Sequence, residues 1–232
     1  LLPGVFFFAA PMSESFFLLL AVGSCYAART GRWFPAGLLG GAAALTRSVG
    51  VLLLVPLFFE WVALPRRRGR ALGSLLLVPA GFLGYLLLNF LVTGDAFTFL
   101  TYQRAHWYQE PGWFFATAGT QMQQLLSVDR VADALGLWLP NLLSGGAALF
   151  VLTLTARRQR ASDTAWFLCY YIVAMGATWL LSGPRYLLVL WPIHRGLAIL
   201  TGTKKRRAAV YGLCAVGGLF YLYAFCNQWQ VW

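Results

Sequence analysis

The stretch "GGAAALTRSVGVLLLVPLFF", residues 40–59, holds a single charge, Arg47, in otherwise apolar sequence. A charge at the centre of a bilayer costs about 2.5–3.5 kcal/mol on insertion scales. Two readings compete. Either Arg47 lies inside one long span, or it marks a turn where the chain leaves the membrane and comes back. The placement of the other charges decides between them.

Of the 232 residues, 59% are hydrophobic and 11% charged, with a mean hydropathy of +0.67. Soluble domains carry about 25% charged residues. Long apolar blocks separated by short basic clusters are the pattern of a polytopic membrane protein. We read eight hydrophobic helices, at 13–29, 34–46, 49–64, 71–92, 134–156, 162–182, 186–202 and 208–227. The second and third are short of the roughly 20 residues a full span needs, so they are expected to tilt, insert halfway or be sheltered by neighbours. The expected fold is all-α.

The connections after the first, third, fifth and seventh helices read "ARTGR", "RRRGR", "ARRQR" and "TKKRR". They collect thirteen of the 18 basic residues: Arg29, Arg32, Arg66, Arg67, Arg68, Arg70, Arg157, Arg158, Arg160, Lys204, Lys205, Arg206 and Arg207. Every second connection is basic, which places these on the cytoplasmic side. Arg47 then falls at an outer turn between two short helices, and Arg185 repeats the arrangement in "SGPRYLL". Five of the seven acids also fall outside: Glu14, Asp95, Glu110, Asp129 and Asp133. Chemistry is therefore expected on the outer face.

The net charge of +11 follows from those loops. No basic face on a soluble fold accompanies it, so nucleic acid is not an expected partner. Cys25, Cys169, Cys214 and Cys226 form no CxxC pair and are expected to be inert buried thiols. The chain opens on "LLPGVFFFAAP", without Met, basic n-region or A-x-A site. We expect the native N-terminus to lie upstream. No internal repeat or low-complexity tract divides the sequence, so a single domain over 1–232 is the simplest organisation. Within it, 93–133 forms a long outer-face loop. That loop is too polar to span and rich in aromatics, with Trp107, Tyr108, Trp113, Phe114 and Phe115 suited to the headgroup zone. One or two helices along the membrane surface are expected there.

Several residues in this outer set carry a chemical reading beside a plainer one. Glu14 in "APMSES" either lines a cavity as an active-site carboxylate or stabilises a helix N-terminus that Ser13 caps. Arg47 and Arg185 each lie between apolar helices beside small or turn-forming residues. An arginine fork holds phosphate through two charge-assisted hydrogen bonds; the alternative is snorkelling to the headgroups. His106 and Glu110 are four apart in "RAHWYQEP" and share a face if that piece is helical, where they would place a substrate or its phosphate, or assist a proton transfer. Otherwise they are solvated loop residues. Asp95 in "TGDAF" reads as a turn residue. His194 and Arg195 fall inside the seventh helix near Pro192, with no role assigned. No metal triad, HExxH, Walker loop, GxSxG or Gly-rich dinucleotide loop occurs.

The block from Phe6 to Trp61, with "AAPMSESFFLLL" (9–20), a basic turn, a small-residue helix and "ALTRSVG" (44–50), resembles the GPI mannosyltransferase 2 family and its prokaryotic relatives. "SGPRYLLVLWPI" (182–193) is similar to that family's RY segment, and "QRAHWYQEPGW" (103–113) to its luminal stretch. The resemblance implies a multi-spanning glycosyltransferase of the GT-C type. Such an enzyme moves a sugar, usually mannose, from a polyprenyl- or dolichyl-phosphate donor to an acceptor on the outer or luminal face. It implies Glu14 in the acidic motif, Arg47 in the arginine turn, and Arg185 with Tyr186 in the RY motif. It also implies an acidic residue in the first outer loop, as general base or contact for a divalent metal. That loop would lie upstream of Leu1, so any metal ion would be held there and not by this stretch. Met12 stands where the family has an aromatic. The expected partners are the lipid-linked sugar donor and the bilayer, and the expected location is a prokaryotic plasma membrane rather than the endoplasmic reticulum, active face outside. The alternative class is a polytopic transporter or flippase-like protein; a noncatalytic membrane scaffold is the third.

Overall fold

The computed structural model describes residues 4–10, 12–65 and 69–229. Arg66, Arg67 and Arg68 of the second basic connection lie outside the described residues. The fold is all-α: no strand occurs among the described residues, and an isolated antiparallel bridge joins Pro111 to Ala177. Three helical runs among the described residues are long and apolar enough to cross a membrane: Gly69–Thr93, Val131–Arg158 and Lys204–Cys226. In the first and third, only 11% of the apolar window is buried, so most of their apolar surface meets no protein.

The chain forms two compact units. The first comprises Ser13–Tyr108 and Arg160–Tyr170; the second comprises Leu1–Met12, Gln109–Gln159 and Tyr171–Trp232. The first unit begins with α1 (Glu14–Arg29) and α2 (Trp33–Thr46), joined by Gly31 at φ +78°. A 3-10 segment, Ser48–Leu53, leads into α3 (Leu54–Val62). Then come α4 (Gly69–Leu75), α5 (Leu77–Thr93) and α6 (Thr98–Trp107).

Glycine lets α2 and α5 touch backbone to backbone. A Cβ at Gly41 would come within 2.4 Å of Leu77 O, and one at Gly81 within 2.0 Å of Gly41 O. Gly37, four residues before Gly41 on α2, likewise faces the backbone of Ser74 in α4, a small-residue spacing that permits close helix approach. The buried Ser24 of α1 adds a hydrogen bond to Ala36 O at 2.7 Å. At the end of α5, Gly94 is left-handed (φ +80°) and Asp95 Oδ1 accepts from the Phe97 amide at 2.9 Å. Asp95 is the turn residue expected.

The second unit holds α7 (Phe114–Ser127), α8 (Val131–Asp133), a π-helical turn (Ala134–Trp138), α9 (Leu139–Thr155), α11 (Gly183–Leu187), α12 (Trp191–Leu200) and α13 (Lys204–Cys226). The helix α10 (Ala161–Met175) gives residues up to Tyr170 to the first unit. A cluster of Phe7, Leu188, Tyr221 and Ala224 forms one core of the second unit, with Phe6 and Phe225 packed 5.3 Å apart beside it.

Four sequence expectations change. The helix expected over 162–182 stops at Met175, because segment 176–182 bonds its backbone elsewhere, as described below. The helix expected over 186–202 breaks across Leu188–Leu190 into α11 and α12. Pro192 cannot donate an N–H, and its ring would clash with the carbonyl of Leu188, four residues back. The tetrabasic run Lys204–Arg207 is the first turn of α13 and not a loop, with Thr203 Oγ1 accepting from the Arg206 amide. Cys226 is exposed, because α13 has little protein around it. The long segment 93–133 holds two helices, α6 and α7.

Candidate functional site

Arg47 sits in extended conformation (φ −144°, ψ 130°) where α2 ends. The chain cannot continue α2 here because the 3-10 segment folds back onto it. A Cβ at Gly50 would lie 2.5 Å from Ala43 O. This hairpin aims the Arg47 side chain at the start of α1. Its Nη1 donates to Glu14 Oε1 at 2.5 Å and to Ser13 Oγ at 3.3 Å, and its guanidinium carbon lies 6.0 Å from the centre of the Phe17 ring. Glu14 is 1% exposed and Arg47 19%. The sequence reading of Ser13 as a side-chain cap is corrected: it makes no cap bond, its backbone is already helical, and its hydroxyl accepts from Arg47. A buried ion pair with a hydroxyl at one end of three apolar segments is the strongest charged constellation of the expected outer set.

The other end of α1 carries a second constellation that the sequence reading missed. Arg29 Nε donates to Glu60 Oε1 at 2.7 Å, and its Nη2 donates to Asp163 Oδ1 at 2.5 Å and to Ser162 Oγ at 3.1 Å. Ser162 Oγ donates to Glu60 Oε1 at 2.5 Å, and Arg160 Nη1 reaches Glu60 Oε2 at 3.4 Å. Asp163 is fully buried and Glu60 is 8% exposed. Two carboxylates and two guanidinia leave the group neutral. The signal was present: these are the two acids outside the expected outer set, each beside a basic connection.

In the second unit Arg185 occupies α11, its guanidinium carbon 5.7 Å from the centre of the Phe7 ring. Tyr186 is half-buried, its amide bonded to Ser182 O at 2.9 Å. Ahead of α11, segment 176–182 is irregular, with Gly176, Leu180 and Ser182 buried, and polar backbone atoms along it find partners on other elements. Gln109 Nε2 donates to Trp179 O at 2.8 Å, Thr117 Oγ1 to Ala177 O at 3.1 Å, and Gln121 Nε2 to Leu180 O at 3.2 Å. Asn141 Nδ2 also donates to Leu180 O at 2.8 Å and to Gln121 Oε1 at 3.0 Å, and its Oδ1 accepts from the Gly183 amide at 2.8 Å.

Glu110 lies on this same unit. Its amide donates to Thr178 Oγ1 at 3.0 Å and its carbonyl accepts from the Thr178 amide. His106 belongs to the first unit, exposed and stacked on Tyr102 at 5.1 Å. The conditional pairing of His106 with Glu110 on one helical face is corrected. The helix α6 ends at Trp107, Tyr108 is left-handed (φ 52°), and the next residues pair with Thr178. Of the expected site residues, Glu14 and Arg47 are brought into contact.

His194 gains a structural account. Its Nε2–H donates to Leu188 O at 3.0 Å, the carbonyl that Pro192 leaves without a helical partner. Among the described residues no group of three or more His, Cys, Asp or Glu side chains is arranged to hold a metal ion.

The helix α7 is inverted for a water-exposed element. Its buried face carries Thr117 and Gln121, at 3% and 1% exposure, while Phe115, Met122 and Leu126 point outward at 65%, 47% and 80%. A comparison with protein-family models, with curated proteins and with solved structures finds no match to this chain.

Proposed function

We propose that the chain is a multi-pass integral membrane glycosyltransferase of the GT-C type. It transfers a sugar, most readily mannose, from a polyprenyl- or dolichyl-phosphate donor to an acceptor on the outer face of a prokaryotic plasma membrane. The observation that carries this reading is the buried Glu14–Arg47–Ser13 constellation, formed by the two motif blocks on which the family resemblance rests. The apolar exposed faces of Gly69–Thr93 and Lys204–Cys226 support the membrane setting.

In the proposed reaction the acceptor hydroxyl gives its proton to a carboxylate, and its oxygen bonds to the anomeric carbon. The bond from that carbon to the phosphate oxygen breaks, and the lipid phosphate leaves with the electron pair. Glu14 is not assigned to this step, since its Oε1 is already engaged by the Arg47 guanidinium. Its role is to orient Arg47, which retains 19% exposure. Arg47 is the candidate group that stabilises charge on the leaving phosphate, commonly the largest catalytic contribution; Arg185, carried by the second unit, is a separate candidate for binding a lipid phosphate.

The test is transfer of radiolabelled mannose from polyprenyl-phosphate mannose by the full-length protein in proteoliposomes. Arg47→Ala is expected to lower turnover about 10²–10³-fold; unchanged turnover rejects its role. One observation favours the transporter or flippase-like alternative: the interrupted helix α11–α12. Broken helices mark binding sites in many transporters. Uptake of a labelled solute by the same proteoliposomes, without sugar transfer, would select that reading.

A further inference from the structure

The buried amides of Asn141 and Gln121 are each 1% exposed, and neither is used by the proposed reaction. Burying a primary amide is unfavourable unless its N–H and C=O groups are hydrogen-bonded. Their partners are specific. Both donate to one carbonyl, Leu180 O, from two different helices, and Asn141 Nδ2 also donates to Gln121 Oε1. The remaining acceptor, Asn141 Oδ1, takes the amide of Gly183, the first residue of α11. A Cβ at Gly183 would sit 2.8 Å from that same oxygen, so glycine is needed for the approach. Arg185 follows two residues later.

The side chains therefore grip both ends of Leu180–Gly183, the stretch that sets where α11 starts. Segment 176–182 has no helical ladder of its own to fix it. Thr117 and Gln109 hold its earlier carbonyls, but only Asn141 touches α11 among these partners. All of these residues lie in the second unit.

We propose that Asn141 and Gln121 are positioning residues for Arg185: their amide pair fixes the start of α11 so that the guanidinium meets the phosphate of a polyprenyl-phosphate ligand in one orientation. This rests on the donor reading given above, and on no contact of either amide with the ligand itself.

The test is binding of undecaprenyl phosphate to the full-length protein in detergent micelles. Variants are Arg185→Ala, Asn141→Leu, Gln121→Leu and the Asn141→Leu/Arg185→Ala double variant. Hydrogen exchange of 180–187 is followed in each, and thermal melting verifies folding. Arg185→Ala and Asn141→Leu are each expected to weaken binding at least ten-fold, and the double variant no further, because both remove the same contact. Asn141→Leu should also speed exchange of the Gly183 amide. Gln121→Leu serves where Asn141→Leu does not fold, with the same direction expected.

Two results overturn the positioning role alone: wild-type affinity in a folded Asn141→Leu or Gln121→Leu protein, or a loss that adds in full to that of Arg185→Ala. No binding by the wild type, or binding indifferent to Arg185→Ala, overturns the phosphate reading of Arg185 and the positioning role with it.

Discussion

At its N-terminal end α1 holds one carboxylate against one guanidinium, Glu14 against Arg47; at its C-terminal end a single guanidinium, Arg29, is shared by two carboxylates, Glu60 and Asp163. About 24 Å of helix separates them, at 1.5 Å per residue over 16 residues. The first cluster closes a local hairpin. The second joins residues 31 and 134 positions from Arg29 and is made neutral by Arg160. Removing Arg47 takes a guanidinium from one acid; removing Arg29 takes a shared guanidinium from two. The difference assigns the heavier structural duty to the Arg29 cluster and leaves the Glu14–Arg47 pair as the candidate for chemistry.

Substitutions can break that contrast or sharpen it. The largest expected effect is Arg29→Ala, which strips both buried acids of their shared partner. Removing one member of a buried ionic group costs about 3–5 kcal/mol, readable as a large fall in melting temperature in detergent. If this variant melted no lower than Arg160→Ala, the contrast would collapse. Ser162→Ala is intermediate. It deletes a hydroxyl that donates to Glu60 and accepts from Arg29, and hydrogen bonds to charged groups contribute about 1.5–3 kcal/mol. Arg160→Ala is smallest, since that side chain is 57% exposed and such pairs contribute about 0–1 kcal/mol. None of these should lower transfer in protein that remains folded, whereas Arg47→Ala should.

The apolar blocks and the lone charge between them led to the helices α1 and α2 and to a turn at Arg47, because charge and hydropathy are local properties of sequence. The contact of Glu14 with Arg47 was not stated by either residue alone, though both fell in the same outer set. The end of α10 was illegible. It depends on Asn141, Gln121 and Thr117, which draw the carbonyls of 177 and 180 away from a helical ladder, and no periodicity records a partner 39 to 60 residues away. The two acids of the Arg29 cluster were legible only as acids beside basic connections, and not as a group, for a related reason. Glu60 and Asp163 occur singly among apolar or basic neighbours, and only the packing of α1, α3 and α10 makes them a group.

The inverted face of α7 bears on any attempt to redesign this protein for aqueous solution. Choosing replacements by hydropathy would spare Phe115, Met122 and Leu126 as presumed core and spend changes on Thr117 and Gln121, whose hydroxyl and amide tie down 177–180. A water-compatible version needs the opposite choice, with polar groups added on the outer stripe and the interior glutamine retained.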